Sequence, residues 1–262
     1  MSEDRVTIAV QDGVADVRLN RAEKMNALDP AMFGGIEQAL AELREMKGLR
    51  AVVLSGEGRA FCAGLDMASM ASGGASAGKN LCDRTHGIAN IFQHVAWGWR
   101  ELPVPVIAAV HGIAFGGGFQ IMSGADIRIV HPQARLSIME TKWGLVPDMA
   151  GVALWRTLVR DDILRELTYT HREFSGEEAL RHGFATRLAD DPHAEAMALA
   201  LEIAAKNPEA IRGAKRLYNA YSDDAERLLV AESVEQAAVI RTPNQIEAVR
   251  ANVEKRVARF LN

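Results

Sequence analysis

Two short apolar runs, each ending in a glycine-bearing turn, constrain this 262-residue chain more than any other feature. The first, Ala51–Leu54, leads through Ser55-Gly-Glu-Gly-Arg into Arg59-Ala-Phe-Cys-Ala-Gly-Leu-Asp66. The second, Val104–Val110, leads through His111-Gly-Ile-Ala-Phe into Gly116-Gly-Gly-Phe-Gln120. Apolar runs this short, bounded by glycine and proline, read as buried strands. Three successive glycines opening a small-residue helix leave backbone N–H groups unobstructed at a dipole end that favours negative charge. Two such turns side by side can aim two N–H groups at one oxygen, an oxyanion hole made without side chains. Taken singly, each turn also reads as tight packing.

The rest of the chain fits an α/β core with a helical extension. Val6, Ile8 and Val10 precede Asp12-Gly13, and Val14, Val17 and Leu19 follow, which is a hairpin signal. Pro30 opens a helix running to about Lys47, with Ile36, Leu40 and Leu43 on one face. Residues 69–80, rich in Ala, Ser and Gly, read as a loop, and a helix is expected from Leu81 to Trp97. Ile127–Val130 and Leu136–Ile138 read as strands. From Gly151 the pattern is mostly helical, broken at Phe184–Leu188, and from Pro192 to Leu261 it reads as consecutive helices punctuated by Pro208 and Pro243. The expected division is a core over 1–190 and a helical region over 191–262.

Composition narrows the class. With 48% hydrophobic and 24% charged residues the chain is globular, neither disordered nor collagen-like. A net charge of −4 carries no basic footprint for nucleic acid. Cys62 and Cys82 make no disulfide framework, and no Cys/His spacing suggests zinc. The acidic start has no apolar run of signal-peptide length, and no stretch is long enough to span a membrane, so a cytoplasmic protein with no membrane partner is expected.

Several motifs fail. Gly73-Gly-Ala-Ser-Ala-Gly-Lys79 is followed by Asn80, without the Ser or Thr and the preceding strand of a phosphate loop. Gly56-Glu-Gly58 has Phe61 where a dinucleotide fingerprint needs its third glycine. His86 and His94, eight apart in the expected helix, share a face and read as pocket, core or surface residues. His111 reads as structural.

In combination and order, Asn20-Arg-Ala-Glu-Lys-Met-Asn-Ala-Leu28, Phe61-Cys-Ala-Gly-Leu-Asp66, Pro105-Val-Ile-Ala-Ala-Val-His-Gly112 to Gly118, Ala125-Asp-Ile127, Glu140-Thr-Lys-Trp-Gly144 and Pro147 resemble the crotonase superfamily, the enoyl-CoA hydratase/isomerases. The resemblance spans nearly the whole chain. It implies a ClpP/crotonase-like spiral of ββα units, with a C-terminal helical region that builds homotrimers or dimers of trimers. It implies an acyl-CoA substrate, as in fatty-acid metabolism, with no metal and no cofactor beyond the coenzyme A of that substrate. By match to the motifs, the N–H groups of Ala63 and Gly117 would hold the thioester oxygen. Lys24, Ala27, Leu28, Ala60, Gly64, Leu65, Asp66 and Gly116 would run beside the substrate, with Trp143 and Gly144 near the acyl chain and Phe260 approaching the adenine. Trp97, Trp99 and Trp143 are candidate walls of the acyl pocket, and equally candidate core residues.

The chain departs from the hydratases where the reaction is decided. Family hydratases carry one glutamate just after the triple glycine and another about twenty residues on. Here the first is Gln120, whose amide neither takes nor gives a proton at neutral pH, although it can hydrogen-bond water or substrate. The second is kept as Glu140, and Asp148 follows eight residues later, a spacing shared with dienoyl-CoA isomerases. Those isomerases also carry an acid where Gln120 sits. The expectation is a double-bond isomerase with Glu140 as acid/base. Asp148 then reads as a second proton carrier, as a group tuning the first, or as the N-cap of a helix near Gly151. A hydratase or lyase of the same family, and a member that binds acyl-CoA without turnover, are the alternatives.

Overall fold

The computed structural model describes residues 4–71, 80–206, 208–220 and 225–256. β1 (Val6–Gln11) and β2 (Val14–Leu19) form the expected hairpin, with Asp12 at φ +52° and Gly13 at φ +77°, the two positive φ values of a type I′ turn. Asp29 caps α1 (Pro30–Glu45) by accepting the Met32 N–H at 2.7 Å, and α1 buries Ile36, Leu40 and Leu43. β3 (Ala51–Gly56) and α2 (Met67–Ala71) follow.

The next helix begins ten residues later than its sequence suggests. α3 spans Ile91–Glu101, because Asn90 accepts the N–H groups of Phe92 and Gln93 while the Gln93 side chain accepts the Asn90 N–H. This reciprocal cap starts a helix at 91 and nowhere earlier. Upstream, Gly87 sits at φ +63°, and His86 and Ala89 exchange both backbone hydrogen bonds, a tight turn rather than a helix. Trp99 is sealed in the core with its indole N–H on the Val95 carbonyl, and Trp97 donates to Glu101, so both belong to α3 packing.

Then come β4 (Val106–Val110), β5 (Ile113–Phe115), α4 (Gly117–Ser123), β6 (Ile127–Val130), β7 (Arg135–Ser137) and a 3-10 turn at Glu140–Trp143. α5 (Gly151–Trp155), α6 (Asp161–Thr170), β8 (Phe174–Ser175), α7 (Gly176–His182) and β9 (Arg187–Leu188) precede α8 (Pro192–Ala204), α9 (Pro208–Ala220), α10 (Ala225–Val239) and α11 (Pro243–Val253). One sheet has the order β1-β2-β3-β4-β6-β9, parallel except for the β1–β2 hairpin. The other has the order β5-β7-β8.

The two sheets are wound from one repeating unit. β4 in the large sheet leads to β5 in the small one, and β6 likewise to β7. β3 leads to Cys62, which bridges in parallel to Ala114 of β5. Each turn of the spiral therefore delivers a strand end to the same edge, one above the next. The turns meet backbone to backbone: a Cβ on Gly64 would lie 2.6 Å from the Phe115 carbonyl oxygen.

α8 covers the large sheet, its Ala196 and Ala200 packed on Val53, Ile107 and Ile129. The helices expected beyond 191 thus begin with one that belongs to the core packing. Lys215 ties α9 down by donating to Asp126 at 2.8 Å and to the Val104 carbonyl at 2.8 Å. α10 and α11 hold the segment after β7, through Gln236 to the Val146 N–H, Gln245 to the Trp143 carbonyl and Asn252 to the Lys142 carbonyl.

Two glycines test this packing in opposite directions. A Cβ on Gly34, exposed on α1, meets nothing within 4 Å, so Gly34→Ala should raise stability by about 0.5–1 kcal/mol through helix propensity. A Cβ on Gly118 would collide with the Cys62 carbonyl and lie 2.7 Å from the Cys62 Cβ, so Gly118→Ala should cost about 1–3 kcal/mol or more. Urea unfolding of both variants measures the contrast; equal effects would contradict it.

Candidate active site

Three successive strand ends build the site. The Cys62 bridge is followed by Gly64-Leu65, β5 by Gly116-Gly117 and β7 by Glu140. Gly116 takes φ +50°, ψ −118° at the N-cap of α4, a region open to glycine, and this turn points the next N–H outward. A Cβ on Gly64 would lie 3.6 Å from the Gly117 nitrogen, and one on Gly116 would lie 3.4 Å from Glu140 Oε1. The three turns are in contact.

One of the two N–H donors differs from expectation. The Ala63 N–H donates to the Met25 carbonyl at 2.9 Å and is engaged. Leu28 and Leu65 form a parallel bridge in which the Leu28 N–H goes to Gly64 O and the Asp66 N–H goes to Leu28 O. Strand alternation turns the Leu65 N–H to the other side, where, like that of Gly117, it meets no acceptor among the described residues. The open pair is therefore Leu65 and Gly117. The Ala63 assignment fails because its N–H points into the 25–28 segment.

Glu140 is buried, and its two oxygens are unequal. Oε1 accepts from Gln120 Nε2 at 2.6 Å, whereas Oε2 is buried without a hydrogen-bond partner among the described residues. The Gln120 amide can be oriented only one way, because its Oε1 accepts the N–H groups of Met149 at 2.9 Å and Gly151 at 2.8 Å. Gln120 is completely inaccessible, and both lone-pair directions of its oxygen are filled. It faces Glu140 and the 149–151 turn rather than a substrate. α4 is held for this task by Phe119, packed among Trp155, Phe174 and Phe184 with ring centroids 5.0–5.6 Å away, and by the Trp155 indole N–H on Ser123 at 2.8 Å.

Asp148 sits just before that turn and is partly accessible. It is not a helix cap: α5 starts after Ala150, whose φ of +68° breaks the helix there. Burial, then the neighbouring Glu140 charge, raise the Asp148 pKa to about 7. Burial raises that of Glu140 to about 7, partly offset by backbone N–H groups and Gln120. Like charges resist sharing a small dry space, so the pair keeps a proton near neutrality.

The remaining residues divide between lining and scaffold. Leu65 is exposed and Lys24 lies at the surface. Ala27 is nearly buried. Leu28 is sealed behind Gly117, and Ala60 is fully buried with its carbonyl on Asn26. Asp66 accepts from Arg21 at 2.6 Å and from the N–H groups of Ala68 and Ser69. Gly144, at φ +69°, packs against Gln245, and the Trp143 ring lies under the Lys142 ammonium at 5.4 Å. Phe260 and residues 72–79 lie outside the described residues, and the start of the expected 69–80 loop, 69–71, is instead the end of α2.

Three groups escaped the sequence reading. Arg21 holds Asp66, buried Asn26 donates to the carbonyls of Glu57, Ala60 and Phe61, and the 149–151 N–H groups hold Gln120. A polar Asn among apolar neighbours was the one available signal. Cys62, adjoining the hole, is inert: burial lifts its thiol to about 12.

The profile of the Enoyl-CoA hydratase/isomerase family matches residues 9–262. The chain belongs to that family, the crotonase superfamily. It is 32% identical to the mitochondrial Delta(3,5)-Delta(2,4)-dienoyl-CoA isomerase of Mus musculus over 95% of this chain and 79% of that one. It is 32% identical to the carnitinyl-CoA dehydratase of Proteus mirabilis over 82% of this chain and 80% of that one. The crystal structure of an enoyl-CoA hydratase/isomerase from Mycobacterium paratuberculosis superposes with a TM-score of 0.84 at 26% identity, covering 97% of this chain and 98% of that one. The spiral with its helical extension is thus the crotonase fold, and the family acts on acyl-CoA thioesters. Among the described residues no helix is long and apolar enough to cross a membrane.

The carboxyl pair sets a sign for stability against pH. In the fold each group stays protonated to near pH 7, whereas unfolded it ionises near pH 4. Between about pH 4 and 7 the folded chain holds protons the unfolded chain has released, so this contribution to stability falls as pH rises. Asp148→Asn removes one such group. Its melting temperature relative to the parent should be higher at pH 8 than at pH 4; an identical offset at both would contradict the shift.

Proposed function

We propose that this family member is an acyl-CoA isomerase that moves a double bond along an enoyl or dienoyl chain. The observation that carries the reading is the engagement of Gln120: its oxygen serves the Met149 and Gly151 N–H groups and its nitrogen serves Glu140. The position that holds a second glutamate in family hydratases thus offers neither a proton nor a free acceptor for water. What remains is Glu140 and Asp148, both raised to about 7. Near neutrality such a pair shares about one proton, one carboxylate ready to accept and one carboxyl ready to donate.

In this scheme the thioester oxygen lies against the N–H groups of Leu65 and Gly117. Losing one such donor typically costs about 3–4 kcal/mol of transition-state stabilisation. Glu140, through its unpartnered Oε2, takes a proton from the acyl chain, and charge spreads onto the thioester oxygen as an enolate or dienolate. A proton returned further along the chain, from Glu140 or Asp148, shifts the double bond. Nothing is added or lost, so the product has the mass of the substrate. The coenzyme A portion runs beside exposed Lys24, and no further cofactor is needed. The likeness to a dienoyl-CoA isomerase supports the same reading. On α9 and α11, Leu217, Tyr218, Ile246 and Val253 expose 55–76% of their surface, which suits burial between subunits of the expected trimer or dimer of trimers.

The test is mass spectrometry and ultraviolet absorbance of products from 2-enoyl-, 3-enoyl- and 3,5-dienoyl-CoA. A shifted double bond at unchanged mass is expected, and Glu140→Gln should lower its rate by about 10²- to 10⁴-fold. A gain of one water, or full activity in Glu140→Gln, would overturn the assignment.

A further inference from the structure

A second cluster of titratable side chains lies where α1 and α3 meet, among residues not assigned to the acyl site. Glu37 on α1, His86 on the tight turn before α3 and His94 on α3 bring one carboxylate and two ring nitrogens within 4.8 Å of one another. Glu37 Oε2 lies 3.1 Å from His86 Nε2 and 2.8 Å from His94 Nδ1. Donors about 2.0–2.1 Å from a tetrahedral ion are about 3.3 Å apart, close to these separations. The two rings stack with centroids 4.5 Å apart and planes 22° from parallel.

The outer contacts are arranged as around a metal ligand. Thr85 Oγ1 lies 2.9 Å from His86 Nδ1, leaving Nε2 for the cluster. His94 Nε2 faces Glu101 Oε2 at 3.7 Å, and Glu101 is itself anchored by the Trp97 indole N–H at 2.9 Å. His94 therefore faces a carboxylate from each ring nitrogen. With a divalent ion on Nδ1, the Nε2 proton points at Glu101, the carboxylate–histidine–metal arrangement that fixes a ligand's tautomer.

The ligands are also held in advance. Arg84 donates to Leu81 O, Gln93, Leu229 O and Ser233, pinning the turn that carries His86, and α1 and α3 are packed core helices. We propose that Glu37, His86 and His94 form a binding site for a divalent transition metal of the zinc class, with Glu101 orienting His94 and solvent completing the coordination. The two histidines are eight residues apart and Glu37 lies far upstream on α1, so no metal-binding spacing motif announces the site. An ion here clips the 84–90 turn to α1 and α3 and takes no part in the acyl chemistry.

The experiment uses the full chain without a histidine tag, stripped of metal with a chelator and titrated with Co²⁺ and then Zn²⁺. One Co²⁺ per chain with visible ligand-field absorption is expected, displaced by Zn²⁺, together with a Zn²⁺-dependent rise in melting temperature. His86→Ala and Glu37→Gln should abolish the absorption and the rise. Glu101→Gln, which touches no ion, should weaken binding by about tenfold or more. His86 sits on a surface turn, so its variant keeps the fold on which the result depends. Absence of Co²⁺ binding by the parent, or binding undiminished in His86→Ala, overturns the proposal.

Discussion

Backbone-to-backbone contact between successive turns of the spiral is the constraint from which the site follows. Where Gly64 meets Phe115 and Gly118 meets Cys62, there is no room for a side chain between turns. That closeness stacks three strand ends along one edge. Two of them present N–H groups that meet no acceptor among the described residues, Leu65 and Gly117. The third presents Glu140. Donors fixed by strand register need not reorganise when charge develops in front of them, which is why such an arrangement stabilises an enolate better than water does.

Gln120 then determines what the third strand end can do. A glutamine there bonds three ways at once: its nitrogen to one oxygen of Glu140, and its oxygen to two backbone N–H groups beyond Asp148. The amide fixes the Glu140 carboxyl with one oxygen held and one open, and it sets the turn that carries Asp148 beside it. A carboxylate in its place would bring a further charge against Glu140 and could not donate to it. One amide thus removes a proton carrier and positions the two that remain. Burial raises the pKa of both groups, with the Glu140 charge adding to that of Asp148, and α10 and α11 grip the 142–146 segment that lies between them.

Much of this was legible in the chain because local rules and fold agree. The Asp12-Gly13 turn, the Asp29-Pro30 helix start and the triple glycine each have one good solution, and each was read correctly. The misreadings have physical causes. Helical periodicity extended α3 back to Leu81, but the Asn90–Gln93 cap and Gly87 decide where that helix begins. Asp148 is of a type that caps helices, yet left-handed Ala150 does so with no side-chain bond at all. The choice of Ala63 over Leu65 turned on which way an N–H points in a two-residue bridge, and motif spacing carries no such information. The locks on Gln120 come from backbone groups, which leave no mark in a linear pattern; the His86–His94 pair was visible in the sequence, but Glu37, the carboxylate that joins them, comes from a distant helix.

The central claim is that Leu65 and Gly117 stabilise an enolate whose proton is carried by Glu140. Exchange of the α-protons of a saturated acyl-CoA in deuterium oxide, followed by NMR, tests it most directly. That exchange needs the hole and the base but neither a double bond nor added water. The account predicts deuterium incorporation at the α-carbon by the parent protein, and its loss in Glu140→Gln with acyl-CoA still bound. No exchange by the parent, or undiminished exchange in the variant, would contradict it.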